Sequence, residues 1–152
     1  FYSAVIPAGN GVATADDCGK FFQCLLDGGQ LDGVRVFDPL TVRRAVAEVG
    51  KAEIDRSLLV PLRYSAGMML GASPWGLYGP DTARAFGHLG FANIVVWADR
   101  ERDISAALLN TGKVVAGIHL PWLLALLGAI SRNCPKLSES AQDRRLAAIG
   151  MA

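Results

Sequence analysis

The chain is 152 residues long, 51% apolar and 19% charged, with a formal net charge of +1. That length accommodates one domain with a real core, and the composition excludes a disordered chain. The small net charge excludes the electrostatic footprint required for nucleic acid or an anionic membrane surface, and the 11 arginines and 4 lysines are scattered and form no stripe.

Taken in chain order, Thr14 caps a first helix, with Asp17 as its capping-box partner and Asp16 also in the first turn. Phe21, Phe22, Leu25 and Leu26 recur at near-helical spacing, and Gly28-Gly29 stops the helix. Leu31-Asp32-Gly33-Val34 reads as a two-residue hairpin loop. Asp38-Pro39 opens a second helix that is expected to run through Val42, Ala45, Val46 and Val49 to Gly50. Lys51–Val60 reads as a connector. Arg63–Leu70 is expected to form one strand, Gly71–Pro80 a loop, and Ala85–Trp97 one long strand. After the charged turn Asp99–Asp103, Ile104–Leu109 returns as a strand closed by Asn110-Thr111-Gly112. Pro121 starts an apolar helix that Asn133-Cys134-Pro135 ends, and Ser138 or Ser140 caps a tail helix ending at Gly150.

Helices followed by strands followed by a terminal helix predict an α+β fold, an antiparallel sheet covered by helices. The expected organisation is a helical part with connector over 1–62, strands and terminal helix over 63–135, and a tail helix over 136–152. Val114–Ile130 carries no charge and spans 17 residues, the short limit for a membrane span. It contains Gly117, His119 and Pro121 and has no flanking aromatic belt, so a buried helix is expected and a membrane anchor is the lesser reading. Cys18, Cys24 and Cys134 are odd in number and match no zinc-ligand spacing. A reduced interior and no metal or other cofactor are therefore expected, and a cytoplasmic location is favoured over export by a signal lost with a preceding segment. Phe1–Pro7 has no basic leader region, and the start reads as a cut through a longer chain.

Generic catalytic signatures are missing from these residues. No serine has a lysine three places on, no tyrosine opens a Tyr-x-Asn, and there is no Gly-x-Ser-x-Gly elbow, P-loop, dinucleotide fingerprint or His-Glu-x-x-His. What remains is Gly87-His88-Leu89-Gly90. Glycine in a strand marks close approach by a ligand or another backbone. On the residues alone, His88 is equally a cleft-facing group or a solvent-facing histidine at a strand start.

Gly87-His88-Leu89-Gly90 resembles the third motif, Lys/His-x-Gly, of the serine β-lactamase and penicillin-binding-protein-like family. Two earlier stretches agree in order and spacing. Residues 6–17 resemble that family's Pro-Ala-Gly-Gly-x-x-Ser-Thr-Ala-x-Asp segment leading into a helix, and residues 26–39 resemble its Gly-rich segment ending in x-Pro. The resemblance covers roughly residues 5–131. It implies the C-terminal part of a mixed α/β hydrolase with a partial transpeptidase-like fold, contributing part of a helical lobe, three sheet strands and the last helix.

The family's nucleophile motif Ser-x-x-Lys and its Tyr-x-Asn motif have no counterpart here, so the chain alone is expected to be inactive. The resemblance implies that His88 takes the Lys/His place beside the nucleophile. It implies that Gly90 lets substrate lie along the strand, and that the Phe91 backbone N–H is one oxyanion donor. Leu89 stands where a Thr or Ser usually helps bind a carboxylate, and leucine offers no hydrogen bond. An esterase acting on ester or amide small molecules is therefore expected ahead of a β-lactamase or peptidoglycan peptidase. Trp75 and Tyr78 are candidate pocket-lining aromatics, although a packed surface loop explains them equally well. The competing reading is an inactive fragment that binds a ligand or another chain. In either case an exposed edge and apolar face predict self-association, a companion chain or the missing N-terminal part as partner.

Overall fold

A computed structural model describes residues 9, 11–56, 58–90, 94–110 and 119–151. Phe91, most of residues 6–10, the turn at 111–112 and residues 114–118 lie outside the described residues.

The first helix, α1 (Ala15–Leu26), starts in a complete capping box. Thr14 Oγ1 accepts the Asp17 N–H at 3.1 Å, and Asp17 Oδ2 accepts the Thr14 N–H at 3.0 Å. Phe22, Leu25 and Leu26 form its buried face. A short hairpin, β1 (Gln30–Leu31) and β2 (Val34–Arg35), follows. Its turn residues Asp32 and Gly33 both have positive φ, 49° and 81°. Asp-Gly tolerates this mirror-image turn, whose twist matches that of the strands. The second helix, α2 (Pro39–Ala45), is capped by the Asp38 side chain on the Leu40 N–H at 2.8 Å. It stops at Ala45, short of the expected Gly50. Beyond it Glu48 bridges to Ser65 and the Val49 N–H reaches Tyr64 O, so the backbone is already committed to a neighbouring strand.

Six strands form the main sheet where three were expected. They are β3 (Glu53–Ile54), β4 (Pro61–Tyr64), β5 (Met69–Leu70), β8 (Ala85–Leu89), β9 (Val95–Asp99) and β10 (Ile104–Leu108), in the order β10-β9-β8-β5-β4-β3 with every neighbouring pair antiparallel. The connector at 51–60 thus contains an edge strand. The expected strand over 63–70 is a hairpin, because Ser65 folds the chain back. Its N–H donates to Met68 O at 2.9 Å, and its hydroxyl accepts the Met68 N–H at 3.0 Å. The expected strand over 85–97 is likewise two strands. Leu89 pairs with Val95, and the Gly90 N–H donates to Ile94 O at 2.7 Å, closing the reversal. The loop over 71–80 contains a second short hairpin, β6 (Trp75–Gly76) and β7 (Gly79–Pro80).

Alternation along β8 splits the core into two layers. On one face Leu62, Met69, Tyr78, Leu89, Trp97 and Leu127 pack together beneath α3 (Leu120–Asn133). On the other Phe22, Leu25, Val42, Leu70, Phe86 and Ala98 pack with α1 and α2, and Met151 near the end of the chain joins them. Leu127 is fully buried, and burial of such a side chain contributes about 1.5–3 kcal/mol.

The tail helix α4 (Glu139–Ala148) is capped by Ser138. Arg145 ties it to α1 through Asp27 and to the β9–β10 turn through Asp103 at 2.9 Å. The turn itself is held by Arg102. Its Nη1 pairs with the buried Asp99 carboxylate at 2.8 Å, and its guanidinium also donates to the carbonyls of Pro80, Asp81, Ser131 and Cys134. Among the described residues no helix is long and apolar enough to cross a membrane.

Candidate functional site

His88 lies on β8, second from its end and opposite Val96 of β9. Its side chain is exposed, whereas Gly87 and Leu89 on either side are buried. The imidazole leaves the sheet on the face that Phe86 shares with α1, and its Nδ1 lies 2.8 Å from Leu89 O. A proton on Nδ1 would donate to that carbonyl and leave Nε2 free to accept or donate outward.

The glycines of this segment have packing reasons of their own. A Cβ on Gly87 would collide with the Val96 carbonyl and with Trp97, so β9 approaches β8 too closely there for any side chain. A Cβ on Gly90 would meet the Ile94 side chain. The close approach that glycine announces is therefore made by the neighbouring strand. The Leu89 side chain points into the core beneath α3, away from the face His88 occupies.

The two loop aromatics part company. Tyr78 is buried, stacks on Trp97 with ring centroids 6.1 Å apart, and donates its hydroxyl to Met69 O at 3.0 Å. Burial and the nearby Tyr64 push its phenol pKa well above the ordinary value. Trp75 stands 69% exposed on β6. Neither is brought beside His88, because Tyr78 occupies the α3 layer of the core. Phe91 lies outside the described residues. Among the described residues no three His, Cys, Asp or Glu side chains gather in a way that could hold a metal ion.

Two polar features were not legible as sites in the sequence. Arg84 and Arg100 line a cavity of about 370 Å³ at the other end of β8, and Asp55 accepts a 2.6 Å hydrogen bond from the Tyr64 hydroxyl beside a second cavity. The signal that finds the arginines is the strand register, which stays hidden while residues 85–97 are taken as one strand.

Comparison with known proteins places these features in context. The family model described as Beta-lactamase matches residues 1–129. The esterase/beta-lactamase LipL of Mycobacterium tuberculosis is 34% identical over 107 residues, which is 70% of this chain and 24% of that protein. A penicillin-binding protein homolog from Caulobacter crescentus superposes with a TM-score of 0.62 at 30% identity, over 78% of this chain and 31% of that one. A family VIII carboxylesterase superposes with a TM-score of 0.61 at 23% identity, again over 78% and 31%, a likeness of fold alone. The chain spans less than a third of the length of each of these relatives.

Proposed function

The chain belongs to the beta-lactamase family, and from that premise we propose that it supplies one wall of the active site of a serine acyl hydrolase of the esterase type. The observation that carries the reading is the exposed imidazole of His88, at the Lys/His position of Gly87-His88-Leu89-Gly90, on a strand whose neighbouring residues are buried. In this reading His88 offers a hydrogen bond or a positive charge to the nucleophile's proton-transfer network. The backbone at Gly90 lies along the substrate, and the Phe91 N–H donates to the oxyanion formed as the acyl carbonyl is attacked.

The nucleophile is supplied by residues outside these 152, because no Ser-x-x-Lys occurs among them. Leu89 packs into the core and offers a substrate carboxylate no polar contact, and the likeness to the esterase/beta-lactamase LipL supports ester substrates. Strand β10 is an edge of the sheet among the described residues, and Trp122 and Leu126 are exposed on α3. Such surfaces favour a covering partner, either the rest of the hydrolase or a second copy. Without that partner the same surfaces support a binding module that does no chemistry, a reading favoured by the missing Ser-x-x-Lys.

Intact mass spectrometry before and after a fluorophosphonate probe separates these readings. A companion or longer polypeptide that takes up one adduct and hydrolyses p-nitrophenyl butyrate faster than a chromogenic cephalosporin supports the esterase. His88→Ala is then expected to slow acylation about 10²-fold or more. A companion or longer polypeptide that takes up no adduct and hydrolyses neither substrate overturns it in favour of the binding module.

A further inference from the structure

Two arginines that the acyl chemistry does not use lie near each other at the far end of β8. The β8–β9 ladder ends where Ala85 pairs with Asp99, and Arg84 and Arg100 flank that last pair, close enough for the Arg84 charge to act on Arg100. Like charges held this close repel each other. The ion pairs among the described residues engage Lys20, Arg63, Arg102, Lys136 and Arg145, and neither of these two arginines.

Arg100 lies over the Phe86 ring, its Cζ 5.2 Å from the centroid. Its Nε is buried with no hydrogen-bond partner among the described residues, and its Nη2 reaches the Met151 sulfur at 3.7 Å, a weak acceptor. Burial first, and the Arg84 charge second, pull its pKa down to about 10, so it remains a cation at neutral pH. Leaving a buried cation without an anion is costly.

Both arginines line the cavity of about 370 Å³. Leu70 and Phe86 give it an apolar floor, and Glu48 and Arg63 pair with each other at 2.7 Å on its wall. With that pair neutral, the cavity carries the two uncompensated charges of Arg84 and Arg100. His88 is not part of its lining.

We propose that this cavity binds a dianionic oxyanion, and that the fitting class is a phosphate monoester. Its phosphate lies between Arg84 and Arg100, with its organic group on Leu70 and Phe86. A phosphate dianion balances both charges, whereas one carboxylate balances only one of them. Guanidinium forks present paired N–H donors to such oxyanions. Inorganic phosphate shares the anchoring chemistry, and the apolar floor favours the ester.

The test titrates the 152-residue chain with phenyl phosphate and with inorganic phosphate at fixed ionic strength, followed by calorimetry and amide chemical shifts. Saturable binding is expected, with shifts centred on residues 84–86 and 98–100 and phenyl phosphate the tighter ligand. Arg84 is exposed, so Arg84→Gln spares the fold and is expected to weaken binding about tenfold. Arg84→Glu places a carboxylate near Arg100 and is expected to abolish binding while raising the melting temperature. No saturable binding above a sodium chloride control, or binding that survives Arg84→Glu, would overturn the site. Equal affinity for the two ligands would overturn its assignment to an ester.

Discussion

Arg102 is the side chain whose loss the fold is expected to feel most. Its guanidinium is 6% exposed and the Asp99 carboxylate that it meets at 2.8 Å is 1% exposed. Burial pushes the Asp99 pKa upward, while Arg102, the Glu101 N–H and their hydrogen bonds pull it back. Arg102→Met keeps most of the apolar stem but strands a buried carboxylate. It also leaves the carbonyls of Ser131, Cys134, Asp81 and Pro80 without their donor. Breaking a buried pair from one side costs about 3–5 kcal/mol, a large share of the roughly 5–15 kcal/mol that holds a domain together.

Urea unfolding read by far-ultraviolet circular dichroism measures that loss by linear extrapolation. The double variant Asp99→Asn/Arg102→Met removes the stranded charge while keeping an acceptor for the Glu101 N–H, which Asp99 Oδ1 now binds at 2.9 Å. It is expected to recover at least about 1 kcal/mol of the loss. The pH dependence gives a second reading. In the single variant the folded-state pKa of Asp99 lies further above its unfolded value, so the penalty is present above that folded pKa and relieved as pH falls through it. The deficit relative to wild type should shrink as pH falls into the acid range. A loss below about 1 kcal/mol, or a deficit that does not change with pH, would refute the assignment of Arg102 as a buried counter-ion.

Gly87→Ala is expected to cost about 1–3 kcal/mol, because the new Cβ meets the Val96 carbonyl and Trp97, and the same unfolding assay checks it. Thr14→Ala removes the side-chain acceptor of the Asp17 N–H at the start of α1 and should cost about 1 kcal/mol, whereas Thr14→Ser should cost far less. At alkaline pH the sign follows the tyrosines. Burial, then the hydrogen bond to Asp55 and its charge, push the Tyr64 phenol from 10.0 to about 12 in the folded chain. A raised folded pKa favours the protonated form, so Tyr64's contribution is complete below pH 10 and is lost as pH rises towards 12. Tyr64→Phe should flatten that part of the stability profile, and absorbance at 295 nm should show the late titration.

The helices were legible because their ends are written in short-range chemistry. Thr14 with Asp17, Asp38-Pro39, Pro121 and Ser138 each act within a turn of the chain, and each opens a helix in the structure. The strands were legible in content but not in number. Val95, Val96 and Trp97 continue the apolar run of Ala85–Leu89, and nothing in that periodicity announces the reversal between Gly90 and Ile94. The fold class survives such an error because one long strand and a hairpin present the same alternation to the same two helical layers. Register does not survive it, and register is what joins residues distant in sequence. The family resemblance singled out His88 because Gly-x-x-Gly around a polar residue is a local pattern. Arg84 and Arg100, sixteen positions apart, become neighbours only once β8 and β9 are separate strands.

The same strand also keeps the two polar features apart. Arg84, Phe86 and His88 alternate onto one face of β8, with Phe86 packed beside Phe22, ring centroids 6.3 Å apart, between the other two. At about 3.3 Å per residue, His88 and Arg84 are roughly 13 Å apart along the strand. Proton transfer at a reacting bond requires heavy atoms within about 3.2 Å or one bridging water, so an anion held by Arg84 and Arg100 cannot take part in chemistry at His88. Whatever occupies the arginine cavity therefore acts on this chain by stabilising the β8–β9 end that the two like charges otherwise push apart. A His88 variant should leave phosphate binding untouched, and Arg84→Gln should leave the fluorophosphonate reaction rate of the complete hydrolase untouched. Coupling between the two measurements would mean that β8 transmits ligand occupancy from one end to the other, which a strand pinned at its centre by Phe86 and Gly87 is built to resist.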